Sequence, residues 1–302
     1  MKLRRILVTG ATGFVGKAVC KELLEQKQFD VLAFSRSGRH HHRDLEGVSW
    51  CQADLNDPSS YIDAIKKFQP EAVLHLAWQD IPDFSLEKSM LNLKNSINLL
   101  SSVFSLGSCS KVIVSGSCFE LMSPVGKCSS LDEGGIKDAF TWAKQSLRSW
   151  LDMEAKKSSF NYAWFRIFYV YGPGQRTASL VPTIIRAFKE GKPPTLRSPY
   201  DANDYVFIDD VARAFLAGVN KKLPNGILNI GSGGSIPNID IRKIVERIVS
   251  EDGNSMQEGN QSIYAPAELP SNFFADISDT SKYLNWSPQV SIEDGIKNML
   301  NI

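Results

Sequence analysis

The sequence lacks three features that mark large classes of protein: an excess of one charge, a long apolar run and closely paired cysteines. Its 34 Lys and Arg residues stand against 33 Asp and Glu residues, so it has no general attraction to nucleic acid or to an anionic membrane. No apolar run approaches the ~20 residues of a membrane-spanning helix. The short apolar stretch before Gly10 does not resemble a secretory signal. We therefore expect neither a nucleic-acid partner nor a membrane.

Cysteine and histidine are too few, and wrongly spaced, for a metal site or a disulfide framework. The five cysteines include no CxxC pair, and their odd number favours free thiols in a reducing cytoplasm. Three of the four histidines are consecutive, at 40–42, and consecutive side chains cannot all face one ion from a helix or a strand. We expect no metal, a cytoplasmic location and a solvated loop at 40–42.

Short apolar runs alternate with helical patterns through the first half of the chain. Such alternation implies βαβ crossovers and a parallel sheet that is covered on both faces. The predicted fold class is therefore α/β, with a Rossmann-type doubly wound parallel sheet. Strands are predicted at 5–9, 30–35, 48–53, 72–76, 111–115 and 162–168, and helices at 17–26, 61–68, 88–104 and 139–157.

The pattern becomes less regular after Tyr171. We expect a dinucleotide-binding domain at 1–170 and a smaller, mixed C-terminal substrate lobe at 171–302, with residues 204–232 returning to the main domain. The tail from Gln261 shows little regularity. Helices are predicted here at 180–189, 210–219 and 239–250, and strands at 206–209 and 227–230.

A glycine-rich turn with the spacing GxxGxxG separates the first strand from the first helix. Gly10 allows a sharp turn, Gly13 allows a diphosphate to approach the backbone, and Gly16 allows the helix to pack closely on the sheet. Because the turn follows a strand and opens a helix, it predicts a dinucleotide site. The residues predicted to hold the diphosphate are Gly10, Thr12, Gly13, Phe14, Val15 and Gly16.

The end of the second strand predicts which dinucleotide binds. An NAD site usually carries Asp or Glu there for the ribose 2′-hydroxyl, but no acid occurs before Asp44. Arg36 can instead meet a 2′-phosphate, helped by Ser35 and Ser37. This favours NADP(H) over NAD(H), with NAD(H) still possible. Asp54 and Leu55, after the third strand, are candidates for holding the adenine.

In its order of motifs, the chain resembles the extended short-chain dehydrogenase/reductases, in the branch of sugar-nucleotide epimerases, dehydratases and ketoreductases. The resemblance runs nearly from end to end. It implies a Rossmann domain with a small lobe that closes over a nucleoside diphosphate (NDP) sugar. The motifs are Thr9–Gly16, Asp54–Leu55, His75–Ala77, Ser115–Ser117, Lys144, Arg166–Gln175, Asp204–Ala212, Asn229–Gly233, Asp276 and Leu284–Pro288.

The resemblance also implies the chemistry, with one departure. In this family a Ser or Thr holds the reacting oxygen, a Tyr moves its proton, and a Lys four residues later lowers the pKa of the Tyr and binds the nicotinamide ribose. Ser117 and Lys144 match two of these positions, and Leu76 and Ala77 match the coenzyme-binding segment. Phe140 stands in place of the Tyr. A positioned acid–base group typically contributes ~10²–10⁴ in rate.

Four explanations of Phe140 are compatible with the sequence. The enzyme uses another proton donor, the chain is a variant made to trap a complex, the protein binds ligands without turnover, or Tyr169 or Tyr171 acts instead. Cys118 and Glu120 are candidate substitutes because they come just after Ser117 at the same strand end. Family dehydratases have an Asp-Glu pair after the Ser or Thr, but Cys118 and Phe119 occupy those places here, which disfavours ordinary 4,6-dehydration.

The sugar-nucleotide pocket departs from the family pattern as well, since Tyr169 and Asn203 replace the usual Asn and Arg. Further substrate-binding candidates are Trp78, Arg176 and Arg197.

We therefore expect an NAD(P)-dependent 4-ketoreductase or epimerase acting on an NDP-(deoxy)hexose. The alternatives are a catalytically silent dinucleotide or sugar-nucleotide binder, and an atypical dehydratase using Cys118 and Glu120. The resemblance also implies a homodimer through the helices at 88–104 and 139–157.

Overall fold

The molecule is built on the strands that the apolar runs predict. The computed structural model describes residues 4–37, 45–132, 134–192, 194–251 and 270–302. Its strands are β1 (Arg4–Thr9), β2 (Phe29–Ser35), β3 (Ser49–Gln52), β4 (Ala72–His75), β5 (Lys111–Ser117), β6 (Gly126–Cys128), β7 (Asn161–Ile167), β8 (Tyr169–Tyr171), β9 (Ala202–Asn203), β10 (Tyr205–Phe207), β11 (Gly226–Ile230), β12 (Ile236–Pro237) and β13 (Phe273–Ala275). Its α-helices are α1 (Phe14–Glu25), α2 (Ile62–Phe68), α3 (Leu86–Phe104), α4 (Ala139–Lys157), α5 (Leu180–Lys189), α6 (Ile208–Asn220), α7 (Asn238–Glu251), α8 (Ser278–Leu284) and α9 (Ile292–Leu300).

Seven strands form one parallel sheet in the order β11-β7-β5-β4-β1-β2-β3. The chain runs outward from β1 to β2 and β3, then returns to place β4 on the other side of β1. In such sheets, ligands bind at the carboxyl ends of the strands where the order reverses. The predicted doubly wound α/β fold is confirmed, and the reversal beside β1 marks the expected ligand crevice.

Helices cover both faces of the sheet because its strands are apolar on both sides. Successive side chains of a strand point to opposite faces. Ile6 and Val8 accordingly pack on one face, and Leu7 packs on the other. Helices α1 and α6 lie together on the first face, and α3 and α4 lie together on the second. Because helices cover both faces, the loops that join strands to helices lie at the edges of the sheet.

The second half of the chain builds a separate apolar core around α5, α7 and α9. Three two-stranded pairs belong to this region or border it, namely β8 with β10, β9 with β12, and β6 with β13. Strand β11 nevertheless joins the main sheet beside β7, and α6 packs on α1. The domain boundary at residue 170 stays a prediction.

Three local expectations need correction. The tail is more regular than predicted, since β13, α8 and α9 all follow residue 270. Helix α1 begins at Phe14 rather than at residue 17, so it starts inside the glycine turn. Strand β10 ends at Phe207, because Ile208 already begins α6.

Some expectations fall outside the described residues, namely the solvated loop at 40–42 and the first acid after β2, Asp44. Within the described ranges, none of the helices combines the length and the apolar character that crossing a membrane requires. The cytoplasmic location stays a prediction.

Candidate active site

The turn after β1 touches the backbone of the segment that follows β4. Gly10 has a φ of +68°, and a Cβ there would lie 2.7 Å from the nitrogen of Ala77 and 2.8 Å from the carbonyl carbon of Leu76. The N–H of Gly13 closes the turn by donating to the carbonyl oxygen of Gly10 at 2.9 Å. Only glycine combines this φ with so close an approach, so the sequence prediction for Gly10 has a direct structural reason.

The first turn of α1 is suited to an anion. Gly13 is the N-cap residue and no side chain caps the helix, so its first N–H groups and its positive dipole end face outward. Gly16 packs so tightly that a Cβ there would lie 2.1 Å from the carbonyl oxygen of Gly10. A glycine cradle at an uncapped helix start fits the diphosphate of a dinucleotide.

A crevice of about 310 Å³ opens from this helix start along the carboxyl ends of β1, β2, β3 and β4. Nine predicted coenzyme residues line it: Gly10, Thr12, Gly13, Ser35, Arg36, Asp54, Leu55, Leu76 and Ala77. Phe14, Val15 and Gly16 form the adjoining turn of α1, whereas Ser37 and Lys144 do not line the crevice. Sequence reasoning missed the polar residues Gln79, Asn92, Asn95 and Ser96, which line it too.

At the end of β2, Ser35 is buried and Arg36 is exposed. The Ser35 and Ser37 hydroxyls lie 3.2 Å apart, and the Gln52 side-chain amide donates to the carbonyl oxygen of Arg36 at 3.3 Å. The local backbone is thus held while the guanidinium of Arg36 stays in solvent at the crevice wall. No carboxylate occurs at 35–37, where the 2′-hydroxyl partner of NAD usually stands.

A buried histidine ties the two strand ends together. Oγ1 of Thr9 lies 2.8 Å from Nδ1 of His75, and Oγ of Ser96 lies 2.9 Å from Nε2 of the same ring. Ser96 donates onward to the carbonyl oxygen of Asn92, so its oxygen accepts from Nε2–H and the Thr9 hydroxyl donates to Nδ1. Burial, with the charge of Lys144, lowers the pKa of His75 to about 3. His75 is therefore a neutral cross-link rather than an acid or a base.

Lys144 lies in an aromatic enclosure. Its Nζ donates to the carbonyl oxygen of Ser115 at 2.8 Å and lies 4.0 Å from the ring centroid of Trp78. Burial lowers the pKa of Lys144 to about 8, and the charge of Glu120 opposes that shift. A cation over an indole face is stabilised by the ring quadrupole, so the amine is held at this position.

Phe140, one helical turn before Lys144, completes the same enclosure. Its ring meets Trp78 edge-on, with 5.6 Å between centroids, and packs on Phe84 at 4.6 Å. The side chain is only 4% exposed. The position that carries a Tyr in the resembled family is therefore filled by a group that can exclude water but cannot exchange a proton.

Ser117, at the end of β5, is oriented by Glu120. The N–H of Ser117 donates to Oε1 of Glu120 at 2.8 Å, and the indole N–H of Trp164 donates to Oε2 at 2.8 Å. Oγ of Ser117 accepts from the N–H of Phe119 at 3.2 Å, which leaves its own proton for another oxygen. Burial raises the pKa of Glu120, although the bond from Ser117 opposes the shift.

The two candidate substitutes for the Tyr lie in the interior. Glu120 is 1% exposed, and both of its carboxylate oxygens accept hydrogen bonds from the protein. Cys118 packs with Phe168 and Phe273, and burial raises the pKa of its thiol. Their catalytic roles stay predictions, and this geometry favours a positioning role for Glu120.

The substrate-binding candidates are spread over two regions. Trp78 lines the crevice, and Arg176 reaches its rim by donating to the carbonyl oxygen of Ile81 at 3.4 Å. Tyr169 packs with Phe119, Tyr205 and Phe273. Asn203 is buried beside Asn238, and Arg197 is exposed between α5 and β9. Their roles toward a substrate stay predictions.

Comparison with known proteins shows that this chain is similar to enzymes of sugar nucleotides. The model of the NAD dependent epimerase/dehydratase family matches residues 6–231. The dTDP-4-dehydro-6-deoxyglucose reductase of Escherichia coli is 24% identical over 98% of this chain and 96% of its own length. The UDP-glucuronate 4-epimerase of Thermodesulfobacterium geofontis is 27% identical over 98% of this chain and 94% of its own length.

One solved structure with a similar fold is that of a bacterial sugar-nucleotide epimerase. It is a tyrosine-to-phenylalanine variant of the UDP-glucuronic acid 4-epimerase from Bacillus cereus, in complex with UDP-4-deoxy-4-fluoro-glucuronic acid and NAD. It superposes with a TM-score of 0.81 at 24% identity and covers 98% of both chains. At this identity the likeness establishes the fold.

Replacing Gly10 with alanine is expected to damage the crevice and the stability together. The new Cβ would push against the backbone of Ala77 and Leu76, and overpacking of this kind typically costs about 1–3 kcal/mol. We expect a lower melting temperature and dinucleotide binding weakened by about tenfold or more, measured by calorimetry with NADH and NADPH. Gly234→Ala is the matched control, because its Cβ would meet nothing within 4 Å. Unchanged affinity in a folded Gly10→Ala protein would contradict the assignment of the turn.

Proposed function

Because this chain belongs to the NAD dependent epimerase/dehydratase family, we propose that it transfers hydride at a carbon of an NDP-sugar, as a 4-ketoreductase or an epimerase acting on an NDP-(deoxy)hexose. One chain of contacts carries this proposal. The glycine turn touches Ala77. The residue after Ala77 is Trp78, whose ring covers the amine of Lys144. That amine binds the strand that ends at Ser117. The candidate dinucleotide site and the polar group of Ser117 and Lys144 are therefore connected by one continuous series of contacts.

The coenzyme would lie along the crevice, with its diphosphate at the first turn of α1. Asp54 and Leu55 would adjoin its adenine, and its nicotinamide ribose would lie toward Lys144, whose amine is covered by the crevice residue Trp78. When bound, the nicotinamide supplies or accepts the hydride. The chain itself must then orient the sugar, exclude water and handle the proton of the reacting oxygen.

Ser117 and Lys144 supply the polar part of that task. The Ser117 hydroxyl can donate to a sugar oxygen, and the positive charge of Lys144 stabilises negative charge that develops there. Phe140, Trp78 and Phe84 form an apolar wall around the amine, which strengthens both interactions by lowering the local dielectric constant. The proton step is the part that Phe140 cannot perform.

Phe140 favours a second candidate function, a dinucleotide or sugar-nucleotide binder without turnover. Ser117 and Lys144 weigh against it, because a pure binder has no need of a buried amine bound to the strand that ends in an oriented hydroxyl. The atypical dehydratase has less support, since Cys118 is buried among aromatic side chains and the carboxylate of Glu120 is hydrogen-bonded within the protein.

The proposal includes a preference for NADP(H). Arg36 is exposed at the crevice wall, and residues 35–37 offer hydroxyl groups but no carboxylate. The family is NAD-dependent, and the B. cereus epimerase was solved with NAD. The preference therefore rests on the positive charge of Arg36 and on the lack of a carboxylate at 35–37.

We also infer a homodimer through α3 and α4. Leu86 and Met90 on α3, and Met153 on α4, are each more than half exposed. Large apolar side chains on two adjacent helices are the kind of surface that a second copy would cover.

A turnover assay on the purified protein tests the function. With NADPH and an NDP-4-keto-6-deoxyhexose, we expect loss of the absorbance of the reduced coenzyme, or interconversion of C4 epimers by NMR with an NDP-hexose. Phe140→Tyr serves as the comparison because it restores the usual acid. Tight coenzyme binding with no turnover in either protein would refute the proposed enzyme activity. It would favour a protein that binds the coenzyme without turnover.

Arg36→Ala tests the coenzyme preference. Loss of a charge-assisted hydrogen bond costs about 1.5–3 kcal/mol, so the Kd for NADPH should rise about tenfold or more while the Kd for NADH changes little. Lys189→Ala removes an exposed charge of the same sign at the end of α5 and should change neither value. Equal losses for both coenzymes would refute the preference.

Met90→Asp tests the homodimer. A charge in a buried apolar interface is strongly unfavourable, so sedimentation should show a shift from dimer toward monomer. Met122→Asp is the matched control, since Met122 is similarly exposed but lies outside both helices. A monomeric unmodified protein, or a dimer that survives Met90→Asp with unchanged affinity, would count against this interface.

A further inference from the structure

The replacement of Tyr by Phe140 leaves open which group moves the proton of the reacting oxygen. Given the proposed function, on which this inference rests, another group of the chain must supply that proton. Three titratable groups near the strand ends are already committed. Both nitrogens of His75 are hydrogen-bonded and its pKa is lowered to about 3. Both carboxylate oxygens of Glu120 accept hydrogen bonds from the protein, and Cys118 packs among apolar and aromatic side chains.

Two of the three nearby tyrosines direct their hydroxyl groups elsewhere. Tyr171 donates to the carbonyl oxygen of Ser291 at 3.2 Å, and Tyr205 donates to Oδ1 of Asn238 at 2.6 Å. Tyr169 lies among the rings of Phe119, Tyr205 and Phe273, and burial raises its pKa. It is the competing donor, although its proton is held more tightly than that of an ordinary tyrosine.

Lys144 occupies the remaining place. One of its three N–H groups binds the carbonyl oxygen of Ser115, two residues before Ser117 on the same strand. Residues two positions apart on a strand are separated by ~7 Å along it. The amine therefore contacts β5 close to Ser117, whose hydroxyl would hold the sugar oxygen. Phe140 lies one helical turn before Lys144, so α4 places no other acid between the amine and the sugar oxygen.

We propose that Lys144 is a catalytic residue that donates the proton to the reacting oxygen, the role that the Phe at 140 cannot perform. In the reduction, the carbonyl carbon gains a hydride, and its oxygen takes up the electron pair of the π bond. An N–H bond of the ammonium breaks, an O–H bond forms on that oxygen, and Lys144 is left as a neutral amine. Water then returns a proton to the amine. In the oxidative direction the neutral amine accepts the proton.

The surroundings of the amine suit this role. Glu120 and His75 are the titratable groups that act on it, and His75 is neutral. Burial lowers the pKa of Lys144 to about 8, from an ordinary value of about 10.4. An acid works best when its pKa lies near the working pH. Since the ammonium is the donor, the rate of reduction should be constant at lower pH and fall about tenfold for each unit above about pH 8.

Lys144→Arg, made with and without Phe140→Tyr, separates proton donation from positive charge. Arginine keeps the charge but does not lose its proton in proteins. With Phe140 present, we expect kcat to fall by ~10²–10⁴, and the coenzyme Kd is measured for each variant so that a loss of binding is counted separately. With Tyr at 140 supplying the acid, the same change should cost about tenfold or less. Equal losses in the two backgrounds would overturn the proposal.

A direct titration provides a readout that does not depend on turnover. In coenzyme-free protein with ¹⁵N-labelled lysine, the Nζ signal that disappears in Lys144→Arg should titrate near pH 8. A midpoint above about 10, the ordinary range, would overturn the proposal even if the enzyme is active. A large loss of kcat in Tyr169→Phe, with Lys144→Arg still active, would assign the proton to Tyr169. Absence of turnover on every NDP-sugar refutes the proposed function, and this inference with it.

Discussion

The contact between the backbone at Gly10 and the backbone at Ala77 is the constraint on which the candidate site depends. It brings the turn after β1 against the segment after β4, where the strand order reverses. A side chain at position 10 would force these segments apart and widen the crevice at the start of α1. The same contact places Trp78, the residue after Ala77, over the amine of Lys144. The candidate coenzyme site and the corner that holds Ser117 and Lys144 are thus connected through the segment that follows β4.

Two buried polar groups hold the strand ends around this site in different ways. His75 bridges Thr9 and Ser96 as a neutral ring, so it fixes β4 against β1 and α3 without adding charge. Glu120 accepts hydrogen bonds from Ser117 and Trp164, so it fixes the end of β5 against β7. A buried carboxylate is costly unless it is hydrogen-bonded, so the indole of Trp164 must stay in place to donate to Glu120. The indole packs against residue 116, which must therefore be small. A Cβ at Gly116 would lie 2.1 Å from the indole nitrogen of Trp164.

The sequence predicted the parallel sheet, because the period and composition of its strands are local properties, and it placed α4 and α5 at their observed bounds. It missed α9, although Ser291 and Asp294 form a recognisable helix start in which Ser291 accepts from the N–H of Asp294. Most predicted coenzyme residues line the crevice, since a glycine turn and a strand end are sequence signals. Asn92 and Asn95 were missed because they reach it from α3, which is remote in sequence.

The amino-acid sequence by itself determined the doubly wound sheet and the glycine turn. It also determined the lack of an acid at 35–37 and the presence of Phe at 140. Those features depend on residue type and spacing, which the sequence states directly. Only the tertiary structure decided that Glu120 turns inward to Trp164 and that Lys144 lies buried against Trp78 and beside Phe140. Burial and neighbouring charge set the pKa of an amine, and both come from segments that are far apart in the chain and meet only when the sheet has formed.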